Sequence, residues 1–220
     1  MKKAISAALI GSALAAGGCF GGVLDHEAGP MTSKTSSETG FTKIELNGSA
    51  DLVIEVGPEE SIKIEGNQSR VDNVKTYVKD GVLVIDEKSE GLFGHSSGKL
   101  VVTITAPKID AISLYGSGDI DATGLTGESF DLEIYGSGDV TATGEVDTAS
   151  FVVKGSGDIQ AKDLVAKSTS VDISGSGDVE VYAKKAISAS VSGSGEVTYF
   201  GGAEDVIKSI SGSGEVNAAK

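Results

Sequence analysis

The sequence predicts an all-β fold in which the chain winds into a parallel β-helix, and three observations carry this prediction. Gly-Ser-Gly followed by an acid occurs six times, and successive first glycines lie 20, 19, 20, 18 and 19 residues apart. Apolar residues flank each copy at every second position, which is the period of a strand with one buried face. A unit of this length cannot bury its apolar face alone, so we expect successive units to stack.

The N-terminus has the features of an export signal. Two lysines precede an apolar run at residues 4–16 that is too short to span a bilayer as a helix. Cys19, the single cysteine, ends the stretch Ala-Gly-Gly-Cys, which resembles a bacterial lipobox with Ala16 where Leu is preferred. We therefore expect residues 1–18 to be a lipoprotein-type signal peptide and Cys19 to be the lipid attachment site. The alternative is ordinary signal cleavage a few residues earlier, which would leave a free thiol.

The segment after the signal predicts a spacer. Residues 19–40 are rich in Gly, Ser and Thr and show no apolar period of two or 3.6, so we expect a flexible tether. A lipid, a tether and a rigid body place the protein in the cell envelope. We expect it to be exported and lipid-anchored, either in the periplasm or at the outer membrane and cell surface.

Residues 41–108 predict a first coil and an elaborated N-terminal cap. Gly48-Ser49-Ala50-Asp51 is a seventh copy of the motif with Ala in place of the second Gly, and the next copy starts 68 residues later. Between them, residues 74–88 predict a hairpin that turns at Asp80-Gly81. Residues 99–106 predict a further strand that ends before Pro107.

Residues 109–220 predict about six regular coils of 18–20 residues, which form one domain with residues 41–108. Two residues before each first glycine the chain places Leu114, Ile134, Val153, Ile173, Val191 and Ile210. Four residues after it stand Ile120, Val140, Ile159, Val179, Val197 and Val216. The position four before it is also apolar in five copies, but Lys208 breaks the pattern in the last one. Leu125, Val146, Leu164 and Ile187 are expected to close the rest of each turn.

The two glycines of each motif fall on the buried side of the strand pattern, and the serine and the acid fall on the outer side. We expect a strand to turn an inside corner there that is too tight for a Cβ atom. The serine hydroxyls and the carboxylates then point to water.

The acids form the candidate surface ladder. Stacking places in one column Asp119, Asp139, Asp158, Asp178, Glu196 and Glu215. Such a column could gather Ca²⁺ or cationic groups, because hard cations prefer several carboxylate oxygens. The favoured alternative is that each acid accepts hydrogen bonds from backbone N–H groups at its own corner. We predict no metal site and no cofactor.

Two tyrosines complete the candidate surface. Tyr115 and Tyr135 each precede a corner on the outer side, so they are neighbours in adjacent coils. They could stack on a sugar ring or on another protein. They could equally pack against each other across the strands, which is the favoured interpretation.

Composition argues against two classes of function. The chain has 32 acids against 18 bases and no basic cluster, which excludes nucleic acid as a partner. An enzyme that acts on polysaccharides is also disfavoured, because the acids recur periodically and the single arginine, Arg70, lies in the predicted cap. We therefore predict a protein that is not an enzyme.

Residues 41–220 resemble the bacterial GIN-domain family, whose members are described as autotransporter adhesin heads. The resemblance rests on "F-x-x-I-x-L-x-G-S-A-D-L-x-I", "V-x-D-G-V-L-V-I", "V-x-I-T-A-P-x-I" and the repeated "G-S-G-D-[IV]". It implies a right-handed β-solenoid in the bacterial cell envelope and a role in adhesion. No functional residue is carried over from the family.

These inferences lead to three hypotheses. The favoured one is an envelope-anchored binding or adhesion module that meets a glycan or a surface protein. The alternatives are a passive structural or envelope-maintenance accessory and, less favoured, a polysaccharide-active enzyme. The last coil has no capping helix after it in the sequence, so its edge is a candidate surface for pairing with a second copy.

Overall fold

The computed structural model describes residues 29–87 and 98–219. Within these ranges no helix is long and apolar enough to cross a membrane. The chain there forms a six-residue helix, α1 (Gln68–Asn73), and seventeen strands. The strands are β1 (Met31–Ser36), β2 (Lys43–Gly48), β3 (Asp51–Val56), β4 (Ser61–Asn67), β5 (Val74–Lys79), β6 (Val82–Glu87), β7 (Leu100–Ala106), β8 (Ala111–Gly116), β9 (Ile120–Gly136), β10 (Val140–Gly155), β11 (Ile159–Ala161), β12 (Leu164–Gly175), β13 (Val179–Tyr182), β14 (Ala186–Gly193), β15 (Glu196–Phe200), β16 (Asp205–Gly212) and β17 (Glu215–Ala218).

Two parallel ladders run along the molecule, and the six Gly-Ser-Gly corners and the first corner, Gly48-Ser49-Ala50, lead from one ladder to the other. The upstream ladder, which precedes the corners, stacks β6, β2, β8, the end of β9, the end of β10, β12, β14 and β16. The downstream ladder, which follows the corners, stacks β7, β3, the start of β9, the start of β10, β11, β13, β15 and β17. This winding confirms the predicted β-solenoid.

The number of turns is lower than predicted. The structure has about five turns, whereas the six repeats suggested about six coils. The difference arises because the sixth corner opens a coil that is not completed in the described residues. After that corner only β17 (Glu215–Ala218) continues the winding.

Equivalent residues of successive coils lie directly over one another, as the repeat predicted. Leu114 pairs with Ile134, and Ile134 pairs with Val153 in the next coil. These three side chains are completely buried. Burial of one such side chain contributes about 1.5–3 kcal/mol, so the columns supply the main stabilising term. The predicted closing residues are also in the core, namely Leu125, Val146, Leu164 and Ile187.

The predicted hairpin is confirmed in the cap. β5 and β6 pair antiparallel, and the turn residues Asp80 and Gly81 have φ values of 51° and 77°. Positive φ at both central residues is the conformation of a type I′ turn, which suits the twist of a two-residue hairpin. The further strand predicted before Pro107 is β7, which ends at Ala106.

The order of stacking differs from the order of the chain at the N-terminal end. β2 and β3, which hold the seventh copy of the motif, lie between β6/β7 on one side and β8/β9 on the other. The 68-residue interval between the first two copies therefore passes around the end of the stack and returns on its other side. Gly48 and Gly116 are stacked neighbours despite this separation.

Both ladders continue past their first parallel row as antiparallel strands. β5 pairs with β6 at the edge of the upstream ladder. At the edge of the downstream ladder β4 pairs with β7, and β1 then pairs with β4. In the N-terminal cap the strand pairing therefore changes from parallel to antiparallel.

Strand β1 corrects part of the predicted tether. Residues 31–36 were expected to be flexible, yet they pair with β4 along their whole length. Lys34 Nζ also donates to the carbonyl oxygens of Val71 and Val74 at 2.5 and 2.8 Å. Backbone pairing and this lysine stabilise a polar strand that has no apolar alternation. The predicted signal peptide and Cys19 lie outside the described residues.

Candidate functional site

The corner glycines are required by the stack as well as by the turn. A Cβ atom built on Gly136 would overlap the carbonyl oxygen of Gly116 in the preceding coil, and one built on Gly138 would overlap the carbonyl of Gly118. The serine between them donates its backbone N–H to the same preceding coil, from Ser137 to Gly116 O at 3.0 Å. Each corner therefore rests on the backbone of the corner before it, and side chains are excluded from the contact.

The acids from Asp119 to Glu196 form a hydrogen-bonded ladder between coils. Oδ1 of Asp119 accepts the backbone N–H of Asp139 at 3.1 Å, and Oδ1 of Asp139 accepts that of Asp158 at 3.0 Å. Asp158 does the same for Asp178, and Asp178 for Glu196, both at 2.8 Å. Each aspartate thus caps the corner of the next coil, whereas we had expected it to cap its own. These hydrogen bonds offset the repulsion between carboxylates spaced at about 4.8 Å.

The ladder changes where glutamate replaces aspartate. The backbone N–H of Glu215 donates to the carbonyl of Gly195 at 3.2 Å. The longer side chain of Glu196 instead accepts hydrogen bonds at Oε1 from Thr198 and Asn217, at 3.2 and 3.3 Å. One additional methylene therefore carries the carboxylate past the backbone of the next corner. The described part of the chain contains no group of three or more His, Cys, Asp or Glu residues placed to hold a metal ion.

The first corner, which lies next to the cap, uses a buried ion pair. Arg70 and Glu87 form a bidentate pair with distances of 2.7 and 2.8 Å, and both side chains are 8% exposed. Arg70 also donates to Ser49 Oγ and to the carbonyl of Gly98, both at 2.9 Å. Glu87 Oε2 accepts the backbone N–H of Ser49 at 3.0 Å. These contacts tie α1 and β6 to the corner of the first coil.

The two candidate tyrosines pack against each other. The rings of Tyr115 and Tyr135 are stacked with centroids 4.8 Å apart and an angle of 11° between their planes. Lys154 Nζ lies 4.8 Å from the centroid of the Tyr135 ring. Because sugars stack on open ring faces, the geometry favours cross-strand packing over a sugar platform.

The surroundings of Tyr115 hold its phenol in the protonated form. Burial is the largest cause that raises the pKa of Tyr115, and the neighbouring Tyr135, Glu133 and Glu45 raise it further. Lys154 acts in the opposite direction. Tyr115 is therefore a neutral, partly exposed aromatic side chain between acidic residues.

A groove that sequence analysis did not identify crosses four coils of the upstream side. It has a volume of about 360 Å³ and is lined by Ser150, Ser168, Ser170, Ser188, Thr148 and Ile207, among others. We call it the serine groove. Ser170 and Ser188 are exposed, and neither hydroxyl bonds to another residue in the described part of the chain. A pattern in the sequence could have indicated this groove, because Ser150, Ser170 and Ser188 each lie five residues before a first glycine.

The comparisons with known proteins agree with this architecture. The family model described as "Putative auto-transporter adhesin, head GIN domain" matches residues 40–203. No curated protein matches the chain in sequence.

Several solved structures share the fold. A "putative adhesin" from Bacteroides fragilis is similar at 24% identity and a TM-score of 0.71, covering 86% of this chain and 97% of that one. A "putative adhesin" from Parabacteroides distasonis is 23% identical with a TM-score of 0.53, covering 87% and 98%. A "Putative lipid binding protein" from Parabacteroides distasonis is 25% identical with a TM-score of 0.50 and the same coverage.

The stacked Gly-Ser-Gly corners, the antiparallel cap and the family match over residues 40–203 lead to one conclusion: this chain belongs to the GIN-domain family of adhesin heads.

Proposed function

We propose that the protein is a non-catalytic binding module of the cell envelope that meets a glycan or a surface protein with its outer faces. Its family is described in terms of adhesin heads, which supports a role in binding. The periodic acids support the absence of catalysis, since the four aspartates that begin the ladder each accept a backbone N–H and converge on no single reactive centre.

The serine groove is the surface that we propose for ligand contact, and its free hydroxyls are the observation that carries the proposal. Four coils contribute to one concave strip, and each coil holds its part of the strip on a paired strand. Hydroxyls on a rigid scaffold bond to a polar ligand with little loss of side-chain entropy. The exposed side chain of Ile207 at one end supplies an apolar contact.

Binding is tested with glycan and surface-protein arrays probed with the chain from Phe20 onward, which contains every described strand. We expect retained ligands, and we expect the double variant Ser170→Lys and Ser188→Lys to lose at least tenfold in affinity by filling the groove. The matched control is Ser137→Lys and Ser156→Lys, which places the same charges on exposed corner serines. Equal loss in both double variants, or no loss in either, would refute the groove as the contact surface.

We also propose that a lipid on Cys19 anchors the protein after export. The support is the apolar run at residues 4–16 and the position of the single cysteine two glycines after its end. Cells that express the full chain are labelled with a fatty-acid analogue and fractionated. We expect label and protein in the membrane fraction, and Cys19→Ser should lose the label and move to the soluble fraction. Retention of the variant in the membrane would rule out the lipid as the anchor.

A passive scaffold is the second candidate. The ladder acids accept backbone N–H groups of the fold itself, and the two tyrosines stack on each other, so these side chains need no external ligand. An array without ligands, together with weakened envelopes in cells that lack the protein, would favour it. The enzyme hypothesis is tested by turnover on a panel of acidic and neutral polysaccharides, where we expect none.

A further inference from the structure

The C-terminal end of the solenoid is an open edge within the described residues. Among the described strands, β16 pairs with β14 alone and β17 with β15 alone. Ile210 is 46% exposed, whereas Val191 and Ile173, which precede it in the same column, are 1% and 0% exposed. The end therefore presents the same kind of edge on which each coil of this chain has stacked.

Lys208 lies at an inward position of this edge. It is aligned with Ala189 in the column that holds Ile112, Leu132, Phe151 and Val171 in earlier coils. Its Nζ donates to the carbonyl of Val216 at 2.7 Å and lies 5.3 Å from the centroid of the Tyr199 ring. The side chain thus extends from the upstream ladder to the downstream ladder, across the open end of the core.

We propose that Lys208 keeps the C-terminal edge from pairing with a second copy of this chain. A strand stacked on β16 would cover the inward column and bury the ammonium group of Lys208. An ammonium buried without a carboxylate partner is strongly disfavoured, and inward-pointing charges are a known means of protecting edge strands.

A second copy is the relevant partner because it carries the matching edge. Val206 and Ile210 on β16 continue the apolar columns of the core, so another copy would offer the same apolar columns and unpaired backbone groups. Two such ends can pair symmetrically, as in other two-fold associations between identical surfaces. Without Lys208, the edge has every feature that stacks one coil on another inside the solenoid.

The test replaces Lys208 by residues that the same column holds elsewhere, in the chain from Phe20 onward. Lys208→Val introduces the residue found at position 171, and Lys208→Ala the residue found at position 189. We expect the wild type to be monomeric by light scattering at high concentration. Both variants should form dimers or larger assemblies, with a dissociation constant at least tenfold below that of the wild type.

Two controls make the outcome specific to this edge. Lys185→Val removes an exposed lysine one coil earlier and should leave the protein monomeric. Adding Ile207→Lys to Lys208→Val places a charge on the outer side of the same strand and should restore the monomer. The proposal is overturned if both Lys208 variants stay monomeric with unchanged β-sheet circular dichroism, or if the wild type associates as strongly as they do.

Discussion

Glu87 accepts from the backbone N–H of Ser49 the hydrogen bond that, at every later corner, a glycine carbonyl of the preceding coil accepts. In the second corner the backbone N–H of Ser117 donates to the carbonyl of Gly48 at 3.2 Å. Ser49 donates instead to Glu87 Oε2 at 3.0 Å. A carboxylate from the cap therefore accepts the hydrogen bond that a glycine carbonyl accepts at the later corners, and Arg70 neutralises its charge.

This relationship makes the cap ion pair a stability determinant. Glu87→Ala should lower the free energy of unfolding by about 3–5 kcal/mol, because it leaves the guanidinium of Arg70 buried without a carboxylate partner. Urea denaturation measures the change. The control is Glu65→Ala, which breaks the exposed pair with Lys63 and should cost less than about 1 kcal/mol. Similar losses in the two variants would contradict the role assigned to Glu87.

The second glycine of a corner should not tolerate a methyl group. Gly138→Ala places a Cβ against the carbonyl of Gly118, so it should destabilise the protein by about 1–3 kcal/mol or more through backbone shifts. The comparison is Gly81→Ala in the hairpin, where nothing lies within 4 Å of the new Cβ and only the positive φ is unfavourable. Thermal unfolding of both variants separates overlap from backbone strain. A smaller effect at Gly138 than at Gly81 would contradict the stacking argument.

The acid ladder should behave as a set of backbone caps rather than as a cation site. Asp139→Asn keeps an oxygen that accepts the N–H of Asp158, so stability should stay within about 0.5 kcal/mol of the wild type. Asp139→Ala removes the acceptor and should cost about 1 kcal/mol. Millimolar Ca²⁺ should leave the Tm unchanged. A rise of several degrees with Ca²⁺ that is lost in Asp139→Asn would establish a cation site instead.

Tyr115 should ionise later than an ordinary tyrosine in the folded protein. Its folded pKa is raised above 10.0, so the associated stabilisation is present below that value and is lost as the pH rises through the folded pKa. When phenolate absorbance is followed as the pH is raised, one component should ionise at higher pH than an ordinary tyrosine, and this late component should be missing in Tyr115→Phe. Glu133→Gln should shift this component to lower pH, since the Glu133 carboxylate raises the pKa of Tyr115. A late component that persists in Tyr115→Phe would assign it to another tyrosine.

The columns could be predicted from the sequence because they follow from periodicity alone. Strands with a period of two place Leu114, Ile134 and Val153 on one side, and equal spacing places them in register. The hairpin turn at Asp80-Gly81 was also predictable, since few residue pairs accept two positive φ values.

Features that depend on pairing between distant segments could not be predicted in the same way. The placement of β6 and β7 beneath the first coil follows from the path of the interval between two motif copies, and that interval has no repeat. β1 is polar, so its sequence shows no apolar period of two. It is stabilised instead by pairing with β4 and by the hydrogen bonds of Lys34. Each aspartate can bond to the next corner only because of the distance between neighbouring coils. That distance cannot be read from the sequence.

The pairing of β1 with β4 determines at which end of the solenoid a lipid-bearing tether would join the body. If Cys19 carries the lipid, only residues 20–30 separate it from Met31, a span of at most roughly 40 Å when fully extended. Because β1 is the outermost strand of the downstream ladder at the cap, the tether would join the body at the cap end. The edge that bears Lys208 lies at the opposite end of the stack, so it would be left free of the attachment point.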